Sequence, residues 1–188
     1  MKKKYLVTIL IIVVAIILLG VLNVNEVKEV SVKGSKVKGE YMNGLHFKPE
    51  VIKYKGVIIT FGGSEGGCNA DIAKSLAKEG YEVLALYFFG QENQQRALNE
   101  VPIDSFQEVL SYMGKECNSV EPLTIIGGSK GAELALVLAG YYDEIDNLVL
   151  YAPSSYAFVG LDSDKPASSW AYNGKGLPYI DLINASIE

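Results

Sequence analysis

Residues 122–140 read PLTIIGGSKGAELALVLAG, and the order of their parts decides the fold. Residues 123–126 are a short apolar, partly β-branched run, the composition of a buried strand. Gly127-Gly128-Ser129-Lys130-Gly131 follows directly, and an Ala/Leu-rich stretch of helical character comes next. Strand, G-x-S-x-G and helix in that order is the setting of a nucleophile elbow, a tight turn that lifts a serine above the edge of a sheet. Small neighbours are needed there because the turn is strained and crowded. In such a turn Ser129 is the candidate nucleophile, and the Lys130 N–H faces a developing oxyanion. The plainer alternative is a glycine-rich strand-to-helix turn with an incidental serine. The flanking strand and helix favour the elbow.

The chain has 188 residues, enough for one domain and an appendage. Its 17 Lys and Arg stand against 22 Asp and Glu, and no basic cluster lies beyond the N-terminus. Nucleic acid is therefore not an expected partner. Cys68 and Cys117 show neither metal-ligand spacing nor a disulfide framework, and read as free, partly buried thiols with a pairing between them left open. No metal or organic cofactor is indicated. His46 is the only histidine.

Lys2-Lys3-Lys4 precedes YLVTILIIVVAIILLGVL at residues 5–22, a run without a single charge. As a helix it would span about 27 Å, close to one hydrocarbon thickness. A cleaved signal has a shorter apolar core and a small-x-small site, for which Gly20-Val21-Leu22 is a poor match. The expectation is a single-pass signal-anchor within residues 1–25, ahead of a domain over residues 26–188. The leading lysines point that domain to the extracytoplasmic side, and Lys28, Lys33, Lys36 and Lys38 beyond the span weaken the bias.

Val27, Val30 and Val32, then Val37 and Tyr41, alternate around Lys33-Gly34-Ser35-Lys36. The pattern reads as an antiparallel hairpin, followed by a loop through Asn43-Gly44 and Pro49. Residues 57–61, VIITF, are a strand buried on both faces. Gly62-Gly63-Ser64-Glu65-Gly66-Gly67 then exposes its backbone ahead of a helix from about residue 69 to 78. In an elbow-bearing fold this loop supplies the second oxyanion donor, from the N–H of Gly63 or Ser64. A dinucleotide loop would need G-x-G-x-x-G and an acid closing the next strand. Ser64 breaks that spacing, and the next strand, 82–88, runs into Phe88-Phe89. A flexible turn is the plain alternative. Residues 102–113 follow as a helix, with Ile103, Phe106, Val109, Leu110 and Met113 at core spacing. Residues 147–151 read as another buried strand, and 156–188 as loop. Strands alternating with helices imply a mainly parallel sheet with helices on both faces, its site at the carboxyl ends of the strands.

Four segments carry a likeness to a known family: FGGSEGG at 61–67, GYEVLALYFF at 80–89, ALNEVPIDSFQEVLSYM at 97–113 and IIGGSKGAELAL at 125–136. SSWAYNGKGLPYI at 168–180 adds to it. Over roughly residues 50–180 the chain resembles the C-terminal catalytic domain of the acyl-CoA thioesterase and bile acid-CoA:amino acid N-acyltransferase family, which has the α/β-hydrolase fold. The resemblance implies a thioester acyl-transfer site with a small acyl thioester or ester as substrate. Ser129 matches the nucleophile position, serine in thioesterase members and cysteine in the amino-acid transferase, so hydrolysis is favoured over conjugation. Glu133 matches a motif residue of the family and is read, with Gly127 and Gly131, as a structural anchor of the elbow.

The departures are as informative. Residues 23–56 are too short for the β-sandwich that precedes the catalytic domain in eukaryotic members. The triad order of this fold is Ser, then Asp or Glu, then His, and no histidine follows Ser129. Asp143, Asp146, Asp162, Asp164 and Asp181 are available as acids, but a serine without a base is a weak nucleophile. His46 precedes the first buried strand and reads as a surface or loop residue. The expectation is thus a C-terminally incomplete α/β-hydrolase domain behind a membrane helix, inactive as it stands. The alternatives are a general carboxylesterase or peptidase-like hydrolase, and a non-catalytic, membrane-tethered binding module.

Overall fold

The structure, a computed structural model, describes residues 31–162 and 164–181. The expected anchor over residues 5–22 lies outside the described residues. Among those described, no helix is long and apolar enough to cross a membrane. Strands β1 (Val32–Lys38) and β2 (Asn43–Pro49) form an antiparallel hairpin that leads into β3 (Val57–Phe61), α1 (Ala70–Glu79) and β4 (Glu82–Tyr87). A two-residue strand β5 (Val101–Pro102) and a 3-10 turn (Ile103–Ser105) open onto α2 (Phe106–Glu116). Then come β6 (Leu123–Gly128), α3 (Lys130–Ala139), β7 (Asn147–Tyr151), β8 (Trp170–Tyr172) and β9 (Lys175–Gly176).

Six strands make one sheet in the order β1-β2-β4-β3-β6-β7. The hairpin joins it antiparallel through β2 and β4, and the other four strands run parallel. The strand period of two sorts their side chains between opposite faces. Ile59, Phe61, Leu84, Leu86, Leu123 and Ile125 share a core with Phe106, Val109 and Met113 of α2 and Leu134 and Leu138 of α3. Ile58, Val83, Ala85 and Ile126 pack on the other face against Ala73 and Ala77 of α1. Those alanines sit four apart, one above the other on one side of the helix. Both faces are covered, as expected of apolar parallel strands. Helix α1 ends where Gly80 takes φ 106, a left-handed cap that returns its N–H to Ala77 O.

Three expectations need correcting. The hairpin does not turn at Lys33-Gly34-Ser35-Lys36, which lies within β1, with Asn43-Gly44 and Pro49 inside β2. Gly39–Met42 makes the turn, where Gly39 N–H donates to Met42 O at 2.9 Å. A Cβ on Gly44 would stand 2.2 Å from Ala85 O, so the glycine serves close strand approach rather than a turn. Strand β7 is not buried: it pairs with β6 alone among the described residues, with Val149 40% and Tyr151 59% exposed. Finally, the tail is not all loop. β8 and β9 form a hairpin over Asn173 (φ 50) and Gly174 (φ 71), the backbone of an Asn-Gly turn, and β8 pairs in parallel with β5. Trp170 on β8 is wholly buried, its ring 5.7 Å from that of Phe88. Both cysteines are free, as read, with Cys68 buried and Cys117 partly exposed.

Glu108 of α2 fixes the hairpin turn by accepting the N–H groups of Glu40 (2.6 Å), Tyr41 (2.9 Å) and Met42 (2.8 Å). Burial pushes its carboxyl upward, but the three N–H donors outweigh that and hold it below the usual carboxylate range. A depressed folded-state value contributes stability above the unfolded value that is lost as pH falls through the folded one. The stability gap between wild type and Glu108→Gln should therefore be full at neutral pH and shrink as the solution is acidified below about pH 4. Urea unfolding at several pH values measures it, and a gap independent of pH would remove this role.

Candidate active site

Between the end of β6 and the first turn of α3, Ser129 takes φ 51 and ψ −115, outside the ordinary left-handed well. A β-carbon is strained there, and the surrounding chain over-determines the geometry. Ser129 N–H donates to Tyr151 O at 2.9 Å, and Ser129 O accepts from Ala132 and Glu133 N–H as α3 begins. A Cβ on Gly127 would lie 2.3 Å from Gly131 O, and one on Gly131 would lie 2.0 Å from Gly62 O. The two outer glycines of G-x-S-x-G are thus required by backbone contact, one with the helix and one with the 62–67 loop. A Cβ on Gly128 between them would make only an ordinary contact, 3.9 Å from Asn69 Nδ2.

The glycine loop does reach the serine. A Cβ built on Gly63 would stand 3.3 Å from Ser129 Cβ, so Gly63 backbone borders the side chain. Gly63 N–H donates to Glu65 Oε1 at 2.8 Å. The exposed Glu65 side chain thereby sits on this N–H. Ser64 is exposed at the tip of the loop. Asn69 closes the loop's far end, its Nδ2 donating to Phe61 O at 2.7 Å from a left-handed backbone (φ 54). Lys130 occupies the first position of α3, where its N–H has no intrahelical partner.

The Lys130 side chain turns away from the serine. Its Nζ contacts Glu133 Oε1 (2.9 Å) and Oε2 (3.1 Å), donates to Ser169 Oγ (2.8 Å), and lies 5.9 Å from the centre of the Trp170 ring. Glu133 is only 3% exposed. Besides Lys130, its carboxylate accepts Trp170 Nε1 (2.8 Å), Phe158 N–H (3.1 Å) and the Ser154 hydroxyl (3.0 Å). Glu133 therefore ties the elbow helix to segments well beyond it in the chain. Phe158, Ser169 and Trp170 were missing from the sequence reading of the site. The short WAY-NG-KG hairpin at 170–176 is a signal for Trp170, and Phe158 has none.

Among the described residues no histidine stands beside Ser129. Among the described residues the exposed Ser129 hydroxyl bonds no other side chain. His46 is not a surface residue: it is 5% exposed on β2, and both ring nitrogens are engaged, Nε2 with Glu82 Oε1 and Nδ1 with the Tyr112 hydroxyl, each at 3.0 Å. In register it lies level with Leu84, Ile59 and Ile125. That puts it three strands, about 14 Å, to the side of β6 and well short of the elbow. Asp146 accepts Leu123 N–H at 2.7 Å, at the far end of β6 from Ser129. Asp162 accepts the N–H of Asp164, and Asp143 is exposed after α3.

A mainly parallel sheet, a strained serine turn at its carboxyl edge and a glycine loop beside it define a class. Residues 58–178 match the family described as alpha/beta hydrolase fold, and the chain belongs to it. The chain is 33% identical to acyl-coenzyme A thioesterase 6 of Homo sapiens over 113 residues, 60% of this chain and 27% of the relative. It is 32% identical to acyl-coenzyme A amino acid N-acyltransferase 2 of Rattus norvegicus over 120 residues, 63% of this chain and 28% of the relative. Acyl-coenzyme A thioesterase 2 of Mus musculus matches at 25% over 86% of this chain and 33% of its own length. The chain thus spans about a third or less of the length of these relatives. Among solved structures, a protein assigned as a dienelactone hydrolase from Klebsiella pneumoniae superposes at a TM-score of 0.56 with 16% identity, over 74% of this chain and 66% of its own. The α/β hydrolase GrgF from Penicillium superposes at 0.51 with 15% identity, over 65% and 46%. At those identities the likeness is one of fold.

The strain at Ser129 is measurable. Ser129→Gly removes the β-carbon from its unfavourable backbone angles, a relief of about 1–3 kcal/mol, against about 0.5–1 kcal/mol for the extra freedom of an unfolded glycine. The substitution should raise stability in urea by about 1 kcal/mol, whereas Ser129→Ala, which keeps the β-carbon, should not. A Ser129→Gly variant less stable than Ser129→Ala would show that the turn is unstrained.

Proposed function

We propose that Ser129 is the nucleophile of a serine-dependent acyl-transfer site that hydrolyses acyl thioesters. The observation that carries this reading is the Ser129 backbone, φ 51 and ψ −115, held in a strand-to-helix turn against Gly63. Attack of Ser129 Oγ on the thioester carbonyl carbon forms a tetrahedral intermediate whose oxygen takes the negative charge. The N–H groups of Lys130, at the head of α3, and of Gly63 or Ser64, in the facing loop, stabilise that oxygen. Glu65 leaves Gly63 when the oxyanion forms, an easy movement for an exposed side chain. Collapse of the intermediate expels the thiolate, and water then releases the acid from the acyl-serine. Similarity to acyl-CoA thioesterases supports a thioester as substrate. Serine at position 129 favours water over an amino acid as the final acceptor.

The proton on Ser129 needs a base that the described residues do not place beside it, the one histidine of the sequence being held by Glu82 and Tyr112. Imidazole in solution can stand in for it. Hydrolysis of a short acyl-CoA by this chain should be at background alone and rise with added imidazole in wild type, but not in Ser129→Ala. Equal rescue of the two proteins would exclude Ser129. Turnover without imidazole that is lost in Ser129→Ala would place a base within the chain. No nucleophilic capture of a fluorophosphonate at Ser129, with or without imidazole, would favour a binding module.

We also propose that residues 5–22 anchor the protein as a single membrane-spanning helix, with the hydrolase domain on the extracytoplasmic side. The support is an uncharged apolar run, long enough to cross a bilayer and preceded by three lysines. The chain should stay with membranes through alkaline carbonate extraction, and its domain should be degraded by protease added to the extracytoplasmic face. Release by carbonate would rule out a span, and protection of the domain would reverse the orientation.

A further inference from the structure

At the other end of the sheet, three unlike side chains from separate elements converge. His46 comes from β2, Glu82 begins β4, and Cys117 caps the carboxyl end of α2. One ligand-type atom from each, a ring nitrogen, a carboxylate oxygen and Sγ, all lie within 4.8 Å of one another. His46 and Glu82 are 5% and 1% exposed, while Cys117 is partly open to solvent. The cluster is therefore walled on two sides and accessible from the third. Nitrogen, oxygen and sulfur donors in one place suit a borderline-soft divalent ion. Donors on a tetrahedral ion stand about 3.5 Å apart, and His46 Nε2 and Glu82 Oε1 are already 3.0 Å apart.

The surrounding hydrogen bonds have the arrangement that a metal site requires. His46 Nδ1 meets the Tyr112 hydroxyl at 3.0 Å, which fixes the ring and presents Nε2 to the centre of the cluster. Glu82 Oε2 accepts Asn118 N–H at 2.9 Å, which orients the carboxylate with Oε1 inward. The nearest charge facing Glu82 is Lys48, whose ammonium lies 3.2 Å from Oε1 and donates to Glu116 O at 3.1 Å. Lys48 is 43% exposed and can swing into water. Its ammonium supplies the positive charge that the buried carboxylate calls for. Burial first, and then the charge of Glu82, push the Cys117 thiol up to about 12. A dication inverts that balance, and the thiol proton leaves to solvent as the ion binds.

We propose that His46, Glu82 and Cys117 form a binding site for a divalent ion of the zinc type, with water as fourth donor. The site is separate from the elbow. It lies toward the amino ends of the parallel strands and joins β2, β4 and α2, so a bound ion would staple the hairpin and α2 to the sheet.

Cobalt(II) titration of the tag-free 188-residue chain in detergent tests the site. Wild type should bind one ion saturably and show a thiolate-to-cobalt charge-transfer band that zinc abolishes by competition. Cys117→Ser should lose the band and bind at least about tenfold more weakly, and Tyr112→Phe should keep the band but weaken binding by about tenfold. Lys48→Met, a change at an exposed side chain that leaves every donor in place, should tighten binding. Cobalt binding without the band, a band that survives Cys117→Ser, or binding weakened by Lys48→Met would each overturn the proposal. So would a wild-type chain that binds no cobalt.

Discussion

A carboxylate with almost no access to water holds the elbow end of this molecule together. Glu133 receives Lys130 Nζ, Trp170 Nε1, Phe158 N–H and the Ser154 hydroxyl, so its charge is both paired and fully hydrogen-bonded. A buried charge so satisfied contributes modestly to net stability, but removing one partner leaves the rest uncompensated, at about 3–5 kcal/mol. The consequence here is topological. Helix α3 belongs to the sheet, whereas residues 154–172 run outside it, and Glu133 and Lys130 are what fasten the two. Trp170 is drawn in by the same carboxylate and fills the core against Phe88. The small β5-β8-β9 sheet follows from that placement.

The elbow depends on a second constraint, the close approach of three backbones. Gly127 meets Gly131, and Gly131 meets Gly62, at distances that leave no room for a β-carbon. Strand end, helix start and glycine loop are thereby locked to one another before any side chain is considered. The conformation of Ser129 follows from this lock, as does the nearness of Gly63. Sites built on rigid elements hold their geometry better than sites on free loops. Here the glycine contacts convert a loop, 62–67, into part of the rigid frame.

Much of this was legible because the governing signals are local. An apolar run joined to G-x-S-x-G and a helix fixes β6, the turn and α3, and the alternation of apolar strands with helices fixes a two-faced, mainly parallel sheet. What misled were residues with two physical uses. Asn43-Gly44 is a common hairpin turn, yet Gly44 is spent on letting β2 approach Ala85. The same Asn-Gly pair at 173–174 is a turn, but glycine-rich flanks made its short strands read as loop. His46, ahead of the first buried strand, reads as a surface or loop residue, and only the pairing of β2 with β4 shows it opposite Leu84, beside Glu82. Partnerships between residues so distant in sequence, such as His46 with Glu82 or with Cys117, leave no spacing pattern to read. The strand at 147–151 is apolar in composition, but its burial depends on neighbours that composition does not specify, and it stands at the sheet edge among the described residues.

Ser129 bears a conformational cost that the fold does not require. Where this chain requires a residue without a β-carbon it uses glycine, as at Gly127, Gly131, Gly62 and Gly44. Other non-glycine residues at positive φ nearby include Asn69, whose ψ of 42 lies in the ordinary left-handed well that asparagine tolerates. Ser129, with ψ at −115, has no such excuse. Glycine would meet the same backbone demand, and nothing in the packing needs the hydroxyl, which is exposed and bonds no side chain among the described residues. A strained outlier that packing does not explain points to function. A hydroxyl raised at the carboxyl edge of the sheet, beside a Gly63 N–H that donates to Glu65, is what that strain yields.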